Sequence, residues 1–245
     1  MINRKPAIMK RVRSSVKKPG HKAAPVVKKA VVLLSGGLDS ATVFSYALSK
    51  GYEVFCLSFD YGQRHKKELQ CAKRLAKLNN SNWQLVKMSF PWKGSALLDK
   101  KTQLSQSGKI TKSIPNTYVP SRNIIFLSYA ASYAEVIGAD TIFIGANQID
   151  YSGYPDCRSS FLSAFESAVN KGTKRGVSGK KIKITSPLIL KNKKDIIKMG
   201  SKLGVLFQYT WSCYEGGSSP CGKCDSCVIR KKGFDAAGIK DPLRK

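Results

Sequence analysis

Apolar and polar positions fall in blocks along the chain, and the blocks change period. AVVLL at 30–34 is an unbroken apolar run of strand length, as expected of a strand covered on both faces. Asp39 to Lys50 reads as a helix closed by Gly51, and EVFCLSF (53–59) as a second strand. KKELQCAKRLAKLNN (66–80) places Leu69, Ala72, Leu75, Ala76 and Leu78 at helical spacing. WQLVKM (83–88) is a third strand. Phe90 to Pro120 has no clear period and carries three Pro, so it is read as a long loop. SRNIIFLSYAASYAEVIG (121–138) predicts a helix with Ser121 at the N-cap. DTIFIGA (140–146) is a fourth strand. A polar loop follows it, then a helix from about Ser159 to Lys171. KIKITSPL (181–188) is a fifth strand and KNKKDIIKMGSKLG (191–204) a last helix. There is no internal repeat.

Short apolar strands alternating with helices predict an α/β fold, a doubly wound parallel five-stranded sheet. Ligands in such sheets bind at the carboxyl ends of the strands, at a topological switch point. Three polar loops follow strand ends here: Ser35–Ser40, Asp60–His65 and Ala146–Arg158. They are expected to converge on one site.

Composition narrows the class. With 245 residues and 42% hydrophobic content, the chain can bury a good core. Its longest apolar runs are too short to span a bilayer. The formal net charge is +28. Residues 1–29 hold ten Lys or Arg, three Pro and no acid, and read as a flexible basic tail. Taking those ten from 43 basic residues leaves 33 against 15 acidic, so the remainder still carries +18. Nucleic acid is therefore expected, if at all, only at the tail; a solvated extension is the plainer reading. The tail has no apolar segment of secretory length, and a cytoplasmic protein is expected. The folded part divides into 30–208 and a C-terminal segment 209–245.

The loop SGGLDS, between strand and helix, carries the chemistry. Gly36 and Gly37 permit unusual backbone angles, so that successive N–H groups can face inward as an anion nest. Ser35 and Ser40 add hydroxyls, and the helix that follows adds its N-terminal potential. The Lys of the common phosphate-binding loop is missing. Asp39, beside a bound phosphate, would have to bind Mg²⁺ or orient the loop.

Four of the seven Cys crowd into Cys213-x₇-Cys221-x₂-Cys224-x₂-Cys227. These spacings suit a tetrahedral metal site; an iron–sulfur cluster or redox-active pairs are the alternatives. Cys56 and Cys71 read as small core residues and Cys157 as a candidate pocket residue.

SGGLDS resembles the loop of the PP-loop ATP pyrophosphatases, which cleave ATP between the α and β phosphates. That resemblance accounts for the missing Lys: the loop would grip leaving pyrophosphate. FDYGQRH (59–65), IPNTYVPSRNIIFLSYAASYA (114–134), DYSGYPDCR (150–158) and CGKCDSC (221–227) follow in order. Together they resemble the 7-cyano-7-deazaguanine synthase (QueC) family, from about Ala30 to Gly238. The resemblance implies an adenine nucleotide alpha hydrolase-like fold, zinc at the four Cys and a homodimer. It also implies conversion of 7-carboxy-7-deazaguanine, ammonia and ATP into the nitrile. Leu34, Ser35, Gly36, Gly37, Leu38, Asp39, Ser40, Ala41, Thr42, Val43 and Phe44 would then form the ATP loop, with Mg²⁺. Asp39, His65 and Arg122 are the catalytic candidates. His65 would handle protons or orient ammonia, or else merely start its helix. Asp150 or Asp156 is placed to read the base edge, Tyr151 or Tyr154 to stack on the ring, and Arg158 or Arg122 to hold the carboxylate. Asn123 would serve ATP or cap its helix. Two rivals stand beside this reading: a PP-loop tRNA-thiolating enzyme, and a basic zinc-containing nucleic-acid-binding module.

Overall fold

The strand with the most continuous apolar sequence lies at the centre of the sheet. In the computed structural model, which describes residues 27–104, 114–149 and 153–244, β1 (Lys29–Leu33) runs between β2 (Glu53–Asp60) and β4 (Thr141–Phe143). β3 (Asn82–Lys87) and β5 (Lys183–Thr185) are the edges. The order is β3-β2-β1-β4-β5 and every pairing is parallel. The chain winds from β1 to one edge, then restarts beside β1 and winds to the other. The switch point lies between β1 and β4.

The helices are α1 (Leu38–Ser49), α2 (Lys67–Leu78), α3 (Arg122–Ile137), α4 (Ser159–Gly172), the single turn α5 (Lys174–Val177), α6 (Lys193–Lys202) and α7 (Asp225–Ala237). They cover both faces. Successive side chains of β1 point to opposite sides. Ala30, Val32 and Leu34 join a core with α1, α2, α6 and Phe234 of α7. Val31 and Leu33 join the other, under α3, α4 and the segment around Ala96, Leu97 and Val119. Among the described residues no helix is long and apolar enough to cross a membrane.

Three sequence expectations are corrected. The fourth and fifth strands are shorter than 140–146 and 181–188. Past Phe143 the chain leaves the ladder: a Cβ on Gly145 would lie 3.1 Å from the Ser40 nitrogen, so this segment passes close to the start of α1. Ser121 stands at the N-cap of α3 but makes no capping bond and sits at φ 57°. Asp156 does the work instead, its Oδ2 accepting the Asn123 N–H at 3.1 Å. Finally, α7 has no sequence stripe to announce it. Its hold comes from the fully buried Phe234 and from buried Arg230, which binds both Asp241 carboxylate oxygens at 2.8 and 2.9 Å. One Phe so buried contributes roughly 1.5–3 kcal/mol. The N-terminal residues 1–26, Asp150 and Tyr151 lie outside the described residues.

Candidate active site

A cavity of about 260 Å³ opens at the carboxyl ends of the strands, over the switch point. One end is the Ser35–Ser40 loop. Gly36 has φ +89°, and a Cβ there would fall 2.0 Å from the carbonyl oxygen of Glu68. Only glycine lets the loop lie directly on the first turn of α2. The Gly36 N–H donates to Ser40 Oγ and the Gly37 N–H to Ser35 Oγ, both at 3.2 Å, and the two hydroxyls meet at 3.0 Å. The Gly36 carbonyl accepts the Trp211 N–H at 2.9 Å. The loop is thus held in shape, and the first amides of α1 are left without intrahelical acceptors.

Leu34, Ser35, Gly37, Leu38, Asp39 and Ser40 line this end. The rest of the proposed ATP stretch does not: Gly36 packs behind the loop, Ala41, Val43 and Phe44 are core residues, and Thr42 donates to the Leu38 carbonyl. The sequence reading did not find Lys193. Its Nζ donates to both Asp39 carboxylate oxygens at 2.8 Å, from the first residue of α6. A Cβ on Gly233 of α7 would lie 2.4 Å from Lys193 Cγ, so that glycine makes room for the lysine stem. The cation missing from the loop is supplied across 154 residues.

The other end is assembled from several elements. Tyr61, His65 and Glu68 come from the β2–α2 connection and α2; Arg122, Asn123 and Phe126 from α3; Tyr154 and Cys157 from the turn before α4. Arg122 Nη1 donates to Tyr61 Oη at 3.3 Å. Burial works against the Arg122 charge, but Tyr61, Tyr154 and Asp156 more than restore it. Tyr154 Oη meets Thr117 Oγ1 at 2.6 Å. Asn123 Nδ2 donates to the Asp156 carbonyl at 3.2 Å and to Cys157 Sγ at 3.4 Å. Burial raises the Glu68 carboxyl to about 7, against the lowering effect of Arg122. His65 lines the cavity with its Nδ1 buried and without a hydrogen-bond partner, and burial lowers its pKa. At neutral pH its imidazole is uncharged.

Two proposed substrate residues lie elsewhere. Asp156 is buried beneath the start of α3 as its cap, and Arg158 is exposed at the N-cap of α4. Neither lines the cavity.

The Sγ atoms of Cys213, Cys221, Cys224 and Cys227 all lie within 4.8 Å of one another. Thiolates around a tetrahedral zinc would stand about 3.8 Å apart, and Cys221 Sγ and Cys227 Sγ are at 4.0 Å. The N–H groups of Lys223 and Cys224 point at Cys221 Sγ, and that of Cys221 at Cys213 Sγ. Hydrogen bonds from Cys224 and Cys227 push the Cys213 thiol down, while the same contact pushes Cys224 up to about 12. A cation among the four Sγ atoms would favour their thiolate forms. The cluster begins two residues beyond Trp211, whose N–H holds the Ser35–Ser40 loop through the Gly36 carbonyl. Gly216, just past Cys213, packs on His65.

A protein-family model described as "Queuosine biosynthesis protein QueC" matches residues 29–238. The chain belongs to the QueC family. Its relatives include proteins named 7-cyano-7-deazaguanine synthase. That of Clostridium kluyveri is 52% identical over 221 residues, spanning 89% of this chain and 98% of the relative. That of Thermoplasma volcanium is 53% identical over 219 residues, spanning 89% and 90%. The matched region takes in the loop, the cavity and the four Cys, and omits the basic N-terminal residues.

Proposed function

We propose that this QueC-family chain is an ATP-dependent carbon–nitrogen ligase, converting 7-carboxy-7-deazaguanine and ammonia into 7-cyano-7-deazaguanine for queuosine-type biosynthesis. The observation that carries this is half-identity to synthases of that name over nearly the whole chain, joined to a single cavity with a phosphate loop at one end and an arginine-bearing pocket at the other.

Turning a carboxylate into a nitrile removes two oxygens, and each must leave on something better than hydroxide. Adenylation supplies that, first at the acid and again at the amide. The first amides of α1 and the hydroxyls of Ser35 and Ser40 receive the pyrophosphate. Lys193 would pair with the phosphates and the Asp39 carboxylate would hold Mg²⁺. When bound, Mg²⁺ neutralises phosphate charge and orients the leaving group. Arg122 holds the substrate carboxylate, with Tyr61 fixing the guanidinium. Tyr154 and Phe126 offer ring faces to the deazapurine. His65, uncharged, is available to position a proton donor. Zn²⁺ at the four Cys would be structural, with no open position, clipping residues 209–245 onto the 30–208 unit. The reading includes a cytoplasmic homodimer.

The test is direct. Incubated with ATP, ammonium and 7-carboxy-7-deazaguanine, the protein should yield the nitrile by mass and two AMP per nitrile. Sulfur appearing in tRNA, with no nitrile, would overturn the proposal.

A further inference from the structure

The cavity is lined by several cationic or basic side chains and by two carboxylates, Asp39 and Glu68. Most of the charges are already matched. Asp39 is paired with Lys193. Arg230 is paired with Asp241. Arg64 is bound to the carbonyls of Ala96, Asp99 and Thr102. Glu68 differs from these. Among the described residues its carboxylate makes no hydrogen bond and no ion pair, although its backbone is fixed where Gly36 rests on it. A carboxylate without a hydrogen bond facing a cavity is costly unless a cation or a proton joins it, and the Arg122 charge offsets only part of that cost.

The reactants of the proposed reaction bring negative charge, with one exception. ATP and the carboxylate substrate are anions, and they suit the basic lining. Ammonium is the sole cation among the organic and nitrogen reactants, and among the described residues Glu68 is the one carboxylate of the lining that makes neither a hydrogen bond nor an ion pair. On the proposed functional reading, we infer that Glu68 is the ammonium site of this enzyme and takes the proton that makes ammonia a nucleophile.

The step balances. An N–H bond of ammonium breaks, its electron pair stays on nitrogen, and the proton passes to a Glu68 oxygen. The ammonia lone pair attacks the acyl carbon of the adenylate and forms the C–N bond. The bond from that carbon to the phosphate oxygen breaks, and AMP leaves with the pair. The amide nitrogen sheds its second proton to solvent. The Glu68 carboxyl, lifted to about 7 by burial, is both a proton acceptor at neutral pH and easily emptied again. No second ammonia enters: the nitrogen of the amide becomes the nitrogen of the nitrile. Glu68 therefore serves the first half of the sequence.

That division supplies the experiment. Glu68→Gln keeps the size and removes the charge. Given the acid and ammonium, the variant should lose about 100-fold in kcat/KM for ammonium, the size of a general-base contribution, with the KM for ammonium raised. Given ATP and the amide intermediate, it should make nitrile within about twofold of the unaltered enzyme. Glu68→Asp should recover part of the acid rate. Equal losses on acid and amide, or an unchanged KM for ammonium, would overturn the inference alone. An unaltered enzyme that makes nitrile from neither acid nor amide would overturn the functional reading and the inference with it.

Discussion

The two ends of the cavity are built on different plans. The Ser35–Ser40 end is nearly continuous in sequence: Ser35 to Ser40 form a turn whose hydroxyls and amides bond to one another across five residues or fewer. The Arg122 end is discontinuous. Arg122 meets Tyr61 across 61 residues and Asn123 meets Asp156 across 33. A local motif carries its own geometry, because a strand, two glycines and a helix start leave few backbone paths. A dispersed site depends on the packing of every element that contributes to it. Damage to the first should therefore strike chemistry more than fold, Asp39 excepted because it is tied to Lys193, whereas damage to the second should mix binding with stability.

The sharpest break is Asp39→Ala. Turnover should fall at least 10³-fold, about the size of losing an electrostatic group at the leaving phosphates; bound metal should change little, and melting temperature should fall by several degrees because the buried Lys193 ammonium loses its carboxylate. Pyrophosphate release measured beside a thermal melt checks both halves; surviving activity would remove Asp39 from the mechanism. Next is Cys224→Ser, which should lose bound metal by elemental analysis and several degrees of melting temperature. Because Trp211 joins the phosphate loop to the cluster, ATP affinity should fall with it. Arg122→Lys keeps the charge and loses the planar fork. The KM for the carboxylate substrate should rise about 10- to 100-fold, with the KM for ATP within about twofold. Equal rises in both would mean that the two ends are not separate.

The smallest effect is one of pH. The folded-state pKa of Glu68 is raised from 4.5 to about 7. A carboxyl so shifted favours folding while protonated and loses that contribution as pH climbs through 7. Arg122 nearby offsets part of the cost but does not abolish it. Glu68→Gln should thus melt with the unaltered protein near pH 4.5 and a few degrees above it beyond pH 7. Coincident melts at both pH values would show that the carboxylate is not held apart from water.

The same contrast governs what could be read in advance. SGGLDS and the Cys spacing were legible because chemistry and proximity coincide in the chain. Lys193 was not. It stands in KNKKD beside Lys191 and Lys194, and nothing local distinguishes the one that reaches Asp39; the only hint was that its loop follows a fifth strand and must open on the same edge. Glu68 sits in KKELQ, where a charge reads as solvent-facing. It lines the cavity because Gly36 brings the loop onto α2. Asp156 and Arg158 lay in a loop whose polarity suggested substrate contact, but the turn over Pro155–Cys157 sends one under α3 and the other outward.

By itself the sequence determined the alternation of strands and helices, the parallel sheet, the two-glycine turn between strand and helix, and the four-thiol cluster. Each of these follows from period, backbone freedom or ligand spacing over a few residues. The tertiary structure decided which lysine answers the missing cation, which carboxylate is left unmatched, and which residues of the polar loops face the cavity. Those depend on contacts between segments far apart in the chain, where burial and pairing set the energy and local pattern carries no information.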